Sequence, residues 1–529
     1  MNLKQQMQRL NEIGIALSSE RNLNRLLERI MAEARAFTHA DAGTLYLVQA
    51  ESRTLKYEIL QNDTLGMQFG GISGGEIPWD PLLPLYNPDG SSNNANVSAS
   101  VAISGKTVNI PDVYKTEEFD FSRMRKADQA SGYCCKSMLV LPMRDHEDEI
   151  IGVLQLINAM DARRQAIPFS SAVEDLIASL ASQAAVAITN VRLIQGMEAL
   201  FGAFVKVMAT AIDEKAHYTR GHIERVALLT MAISESISEA DEGPYADVSF
   251  SEEELNELRI AAWMHDVGKV TTPEWVVDKA NKLEAVSDRV KLIRTRFGII
   301  REQMRVLALE RKVALLKKGS GEAELNAVDG ELEESIQELG EDLDFVIRVN
   351  TPEEFMKDEY LERLQQIAQK TFLENGETTP YLTEDELENL SIRKGSLTPK
   401  QIGIIRNHAA VTLKMLEQIP FTKKLKNVPR FAGAHHEMLD GSGYPLGIAG
   451  DQLPLQSRIL AVADVFEALS ARDRPYKKAK TVEETMRILG FMVKDGHLDP
   501  DVVDLLIKEK VYNKVPSIRE TLEAAGKQG

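Results

Sequence analysis

From Ser171 to about Ala216 the chain runs without a proline, opens on a capping box at Ser171 and Glu174, and keeps a helical pattern throughout. A helix of that length exceeds what a globular core usually holds, so it separates one folded region from another. Leu180, Ala184, Ala187, Val191, Ile194, Phe201, Val205, Met208 and Ile212 fall on alternating steps of three and four, with Glu198 the one break. That spacing predicts a coiled-coil seam, and with it a parallel homodimer in which residues 171–216 carry the state of the first region to the second.

Upstream, Leu10, Ile13, Ile15, Leu17, Leu26, Leu27, Ile30 and Met31 predict helix over residues 1 to about 38. The period then changes. Residues 44–48, 54–60, 136–143 and 149–157 are rich in β-formers, and residues 70–96, rich in Gly, Pro, Ser and Asn, read as a long loop or lid. Helix, antiparallel strands and a closing helix make an α+β domain over residues 1–195. Asn109-Ile110-Pro111-Asp112-Val113, Phe119, Asp128, Gly132-Tyr133, Leu141-Pro142 and the run from Gly152 to Asn158 resemble a GAF domain, the small-molecule sensor module, in its cyclic-nucleotide-binding branch. The resemblance implies a small-molecule or cyclic-nucleotide ligand. Asn158, Phe169 and Glu174 match that branch's signature, while Ala159 and Val173 stand where it has Lys and Asp. A GAF scaffold that only dimerises is the other reading.

Composition narrows the class. With 529 residues, 43% hydrophobic and 27% charged, the chain has the make-up of a soluble protein of two or three domains. It shows no signal peptide and no run of about 20 apolar residues, and its two cysteines, Cys134 and Cys135, are adjacent, so a cytoplasmic protein without a membrane partner is expected. A net charge of -18 argues against a nucleic-acid partner.

The second region is helical with polar loops. His222, Val226, Leu229 and Ile233 share a face; Ser251 and Glu254 cap a helix on which Leu258, Ala262 and His265 align; Thr398-Pro399-Lys400-Gln401 starts another that leads to His408. Asp464 lies on a helix between the small residues Ala461 and Ala468. Five of the nine histidines, with Asp266 and Asp464, occupy interior-facing or glycine-bounded positions, and the pair His435-His436 leads into a loop of glycines, an aromatic and a proline. Burying so many titratable groups calls for compensating charge, which divalent cations supply. Nitrogen and carboxylate ligands without thiolates suit Fe, Mn, Zn or Co. If the Asp266 carboxylate leans across to bridge two ions, water between them is acidified and an in-line displacement at phosphorus is clamped at both ends.

His265-Asp266 with Gly268-Lys269, His435-His436-Glu437, Asp440-Gly441, Gly443-Tyr444-Pro445, Ala463-Asp464-Val465-Phe466 and Arg474-Pro475-Tyr476-Lys477 stand in an order that resembles the HD-GYP domain, the branch of the HD phosphohydrolases that cleaves cyclic di-GMP. The resemblance covers residues 200–280 and 395–525 and implies an all-α domain. It implies His222, His265, Asp266, His408, His435, His436 and Asp464 as ligands of two divalent ions, Fe or Mn first, with Zn, Co, Ni or Mg as substitutes. It implies Asp266 and Lys269 as catalytic, and Lys269, Gly443, Tyr444, Pro445, Arg474 and Lys477 beside the substrate, cyclic di-GMP, which a metal-bridging hydroxide opens to pGpG or GMP. Three departures stand out. Tyr218 replaces the glutamate of three-metal members, the segment from Asp464 to Arg474 is one residue longer than expected, and a charged helical insertion spans residues 281–394. That insertion reads as a solvated arm or a site for a protein partner. The expected whole is a GAF sensor domain, a coiled-coil linker helix and an HD-GYP phosphodiesterase domain; the alternatives are a non-catalytic cyclic di-GMP receptor and a hydrolase of another cyclic dinucleotide.

Overall fold

A computed structural model describes residues 3–215, 221–352, 355–374, 376–471 and 480–526, and the chain divides into two compact units, residues 1–201 and 202–529. In the first unit the expected single N-terminal helix is two helices, α1 (Leu3–Ser19) and α2 (Leu23–Thr38). The break has a local cause: the Asn22 side chain accepts from Arg25 N and starts α2 afresh. The strands β1 (Ala40–Gln49), β2 (Thr54–Asn62), β3 (Met67–Gly70) and β4 (Leu82–Pro84) follow, then α3 (Val97–Ser104), β5 (Val108–Ile110) and α4 (Ser122–Ser131). After them come β6 (Met138–Arg144), β7 (Ile150–Met160), β8 (Ala166–Ile167) and α5 (Ser171–Lys215). The sheet runs β3-β2-β1-β7-β6-β5, every pairing antiparallel, with β4 on β2 and β8 on β7. One sheet face packs Leu45, Leu141, Leu154 and Leu156 against α2 and α5; the other buries Tyr46, Val140 and Val153 with Val101 of α3. The alternation of period two read in the sequence is what places these side chains on opposite faces.

Among the described residues one helix, α5, is long and apolar enough to cross a membrane by length and composition alone. Of its expected seam, Leu180, Ala184, Ala187, Val191, Val205 and Ile212 are buried within a single copy of the chain, whereas Ile194 is 47% exposed and Phe201 and Met208 are half-buried.

The second unit contains α6 (His222–Ser238), α7 (Glu252–Met264) and α8 (Glu274–Val277), then the arm, formed by α9 (Val290–Lys317), α10 (Glu322–Asn350), α11 (Asp358–Gln369), the hairpin β9 (Thr371–Glu374) with β10 (Glu377–Pro380), and α12 (Glu384–Leu390). It closes with α13 (Pro399–Leu416), α14 (Val428–Gly433), α15 (Leu455–Ser470), α16 (Val482–Lys494), α17 (Pro500–Lys508) and α18 (Pro516–Gly526). Capping boxes at Ser251 and Thr398 fix the starts of α7 and α13, which carry His265 at the end of one and His408 inside the other. The expectation of a solvated helical arm is corrected: Phe297, Leu339, Phe345, Val346 and Tyr381 bury a core of its own, and the arm includes a β-hairpin. Basic α9 and acidic α10 are laced by Arg311–Glu331 and Lys312–Asp329.

Two buried lysines tie the base of the arm to its neighbours. Lys282 Nζ donates to the Leu390 carbonyl (3.2 Å), and Lys279 Nζ donates to Asn389 Oδ1 (2.7 Å) and Gln401 Oε1 (2.9 Å). Burial lowers both ammonium groups to about 8 from an ordinary value of 10.5. Between those values the unfolded chain binds more protons than the folded one, so folding gains stability as the pH rises above 8. The thermal midpoint of wild type relative to Lys282→Met is expected to climb between pH 8 and about 10; parallel pH profiles for the two proteins would refute the assignment.

Candidate metal centre

Gly221, at φ +75°, leads directly into α6, whose first residue is His222. At the far end of α7, His265 keeps helical angles, whereas Asp266 (φ −100°, ψ 8°) has left the helix and turned its carboxylate back toward the same side. The 3-10 turn that follows lies against α13. Gly268 N donates to Thr412 Oγ1 (2.9 Å), and the same hydroxyl donates to the His265 carbonyl (3.0 Å). His435 and His436 follow α14, and Asp464 projects from α15.

All seven side chains expected as ligands meet. Asp266 Oδ2 lies 3.2 Å from His265 Nε2 and 3.5 Å from His222 Nε2, and Asp464 Oδ1 is 3.2 Å from that same His222 nitrogen. On its other side Asp266 Oδ1 lies 3.3 Å from His408 Nε2 and 3.9 Å from His435 Nε2. The nitrogens of His408, His435 and His436 form one close group, and His222, His265 and Asp266 another. The carboxylate of Asp266 therefore faces both groups, one oxygen to each.

The hydrogen bonds settle which imidazole nitrogens are free. Nδ1 of His265, His408 and His435 each donates to the carbonyl three residues back, on Ala262 (2.7 Å), Ile405 (2.6 Å) and Ala432 (2.6 Å). His222 Nδ1 donates to Glu467 Oε2. A carbonyl or carboxylate only accepts, so Nδ1 carries a proton in each, and in the neutral tautomer the Nε2 lone pair points into the site. His408 Nε2 and His435 Nε2 then face each other at 3.4 Å, two lone pairs that cannot bond to one another. Among the described residues, buried His265 Nε2 and Asp266 Oδ1 have no hydrogen-bond partner. Orphaned acceptors converging on one point are the arrangement a cation satisfies, and the all-nitrogen-and-oxygen donor set fits a divalent transition metal.

Charge is arranged to match. Burial would raise the Asp266 carboxyl, but Lys269, His265 and His222 hold it well below the usual carboxylate range. Asp464 is likewise held down against its burial by His222. Burial lowers His435 far below the ordinary imidazole value, with His436 next in effect, and brings His436 to about 4, so both are neutral and able to ligate near neutral pH. Burial pulls His222 down too, yet the Glu467 charge carries it well above that value.

Of the expected substrate contacts, Lys269 Nζ bonds Asp266 Oδ2 at 2.6 Å and stands at the site's edge. Tyr444 packs on His436, ring centroids 4.8 Å apart, with the Arg406 guanidinium 5.3 Å above the Tyr444 ring. Gly443 is sterically required: a Cβ there would come within 2.4 Å of Met438 N and 2.6 Å of the His436 carbonyl. Glu437, buried, accepts from Leu446 N (2.7 Å) and Ile448 N (2.9 Å) and so pins the loop that contains Pro445. Arg474 and Lys477 lie outside the described residues, as does Tyr218.

Sequence reading passed over Glu467, Thr412 and Arg406. Glu467 had a signal, since it stands one helical turn after Asp464 on the same face of α15. It holds His222 through Nδ1 and is itself bound by Arg225 Nε at 2.6 Å. Glu467→Gln, which keeps the shape and removes the charge, is expected to weaken metal affinity about 10- to 100-fold. Titration against a competing chelator measures this, and an unchanged affinity would show that Glu467 does not orient the ligand.

Comparison with known proteins places these features in context. Residues 22–188 match the family model described as GAF domain, and residues 219–345 and 384–502 match two models described as HD domain. A probable cyclic di-GMP phosphodiesterase of Vibrio cholerae is 38% identical over 128 residues, 23% of this chain and 29% of that protein. A 3'3'-cGAMP-specific phosphodiesterase 3 of the same organism is 42% identical over 125 residues, 23% of this chain and 25% of that protein. A cyclic di-GMP phosphodiesterase of Thermotoga maritima is 34% identical over 122 residues, 23% of this chain and 32% of that protein. The chain thus spans about a quarter to a third of the length of the curated relatives it matches.

Proposed function

We propose that this chain, a GAF domain followed by an HD domain, is a metal-dependent phosphodiesterase that opens cyclic di-GMP to pGpG or GMP under the control of its GAF domain. The observation that carries the reading is the Asp266 carboxylate, with one oxygen turned to His222 and His265 and the other to His408 and His435. One divalent ion would be held by His222, His265, Asp266 and Asp464, and a second by Asp266, His408, His435 and His436, with Fe or Mn the favoured metals. Bound ions of this kind supply Lewis acidity and a water acidified toward neutral pH.

The chain's own side chains do the rest. Lys269, at the end of its contact with Asp266, is positioned to take up a phosphate oxygen of the substrate, and Arg406 adds a second positive charge beside Tyr444. In a chain of net charge -18 these local cations are what draws an anionic dinucleotide inward. The loop of Gly443, Tyr444 and Pro445 forms the wall against which a base would rest. The GAF domain would take a small ligand, and the two free cysteines suit a cytoplasmic setting.

A second substrate has a specific observation behind it: the 42%-identical relative carries the name of a 3'3'-cGAMP phosphodiesterase. Full-length protein loaded anaerobically with Fe(II) or Mn(II) is expected to convert cyclic di-GMP to linear product on chromatography, and to stop when a chelator is added. Faster turnover of 3'3'-cGAMP would exchange the substrate; two intact cyclic dinucleotides after incubation with metal-loaded protein would end the phosphodiesterase reading.

A further inference from the structure

Lys269 stands in a 3-10 turn of five residues, Val267–Thr271. The last carbonyls of such a turn point out of its end and take donors from elsewhere. Here the donor comes from α5. Lys215, the last residue of that helix, sends its ammonium to three of them, the carbonyls of Lys269 (3.2 Å), Val270 and Thr272 (2.9 Å). An ammonium has three N–H groups and accepts nothing, so this one contact occupies the whole head group. Two residues earlier on α5, Asp213 Oδ2 accepts from Gly221 N (3.1 Å), and Gly221 leads into His222. The final turn of α5 thus grips the approach to one expected ligand and the backbone of the expected phosphate contact.

A helix cap alone would steady the turn and leave the chemistry untouched. Two features make Lys215 more than a cap. The carbonyl of Lys269 is itself among its acceptors, so the residue that faces the substrate is the one held. The anchor on the α13 side, from Gly268 N to Thr412 Oγ1 (2.9 Å), grips the turn ahead of Lys269, whereas Lys215 grips it from Lys269 onward. Between those anchors the Lys269 side chain, 25% exposed, reaches the Asp266 carboxylate, 2% exposed, so its ammonium sits where the buried centre meets solvent. Catalytic groups are sensitive to small displacements, and a shift of about 1 Å can cost on the order of 100-fold in rate.

We propose that Lys215 is a positioning residue: through the carbonyls of Lys269, Val270 and Thr272 it sets the place of the Lys269 ammonium, and with it the hold on the substrate's phosphate. The kinetic part of this inference rests on the phosphodiesterase reading, and the structural part does not. Lys215→Met keeps the length of the stem and removes the charge and the donors. It is expected to retain wild-type metal content and circular dichroism and to lower kcat/KM for cyclic di-GMP about 10- to 100-fold. In a Lys269→Met background the same substitution is expected to change kcat/KM by less than about twofold, because the group it positions is gone. Lys215→Arg, which keeps the charge on a flatter head, is expected to fold and to stay within about tenfold of wild type. Hydrogen exchange reads the turn without substrate. The amides of Lys269 and Thr272, bonded to the carbonyls of Asp266 (2.9 Å) and Lys269 (3.0 Å), are expected to exchange at least about tenfold faster in Lys215→Met. Equal losses in the two backgrounds, loss of metal in Lys215→Met, a Lys215→Arg protein slower than Lys215→Met, or unchanged exchange at the two amides would each overturn the proposal. Metal-loaded wild type that opens neither cyclic dinucleotide sinks the phosphodiesterase reading instead, and exchange at the two amides then decides the place of Lys215.

Discussion

Asp266→Ala is expected to strip the site of metal and to lower phosphodiester turnover by more than about 1000-fold. Among the described residues, Asp266 is the carboxylate with an oxygen within 4 Å of imidazole nitrogens in both groups; Asp464 Oδ1 approaches His222 and, at 3.9 Å, His265, and its charge also acts on His436. Without Asp266, a dication beside His408 and His435 would lose its nearest carboxylate, and the Lys269 ammonium would lose the oxygen it now bonds at 2.6 Å. Asp266→Asn separates charge from shape: it fills the same space and is expected to lose metal nearly as fully, because neutralisation and not bulk holds the ions. Elemental analysis beside product chromatography reads both quantities. Retained metal together with turnover within about tenfold of wild type would remove Asp266 from the centre of the mechanism.

Gly268→Ala is the largest expected effect on stability from the smallest change of volume. A Cβ at residue 268 would come within 2.0 Å of the His408 carbonyl and 2.6 Å of Thr412 N, both backbone atoms of α13 that cannot rotate away. Either α13 moves or the turn does. Moving the turn breaks the bond from Gly268 N to Thr412 Oγ1, and moving α13 takes His408 off Asp266. The expected cost is about 3 kcal/mol or more, read as a lowered denaturation midpoint, with metal affinity lost in the same protein. Thr412→Ser, which keeps the hydroxyl, is expected to stay close to wild type, while Thr412→Val loses the clamp but not the fit. A Gly268→Ala protein of wild-type stability would show that the turn and α13 are not in the contact described.

Much of the site was legible because its chemistry is spelled in residue types that rarely stand together. His265-Asp266, His435-His436 and Asp464 needed no fold to attract notice, and the structure gathers them with His222 and His408, four of the imidazoles lying within 4 Å of the Asp266 carboxylate. Capping boxes at Ser251 and Thr398 were equally plain, since a cap is made within four residues. Glu467 was overlooked although it lies on the face of Asp464, because an acidic residue on a helix most often faces water, and only Arg225 and His222 arriving from α6 make it structural. The arm shows the same limit. Its charge was visible, but a core made by Phe297, Phe345 and Tyr381 depends on a hairpin returning from residues 371–380.

Helix α5 marks the boundary most clearly. Its length, its lack of proline and its apolar periodicity were in the sequence, and so were the seven side chains expected as ligands. How much of its apolar periodicity would be consumed inside the chain was decided in three dimensions, as was the turn of Asp266 out of α7 that turns one carboxylate to two groups. Local pattern determines what an element can bury and what a side chain can bind. What covers a given face, and where a given oxygen points, is set by segments a hundred or more residues away, because burial is a property of neighbours and not of the residue itself.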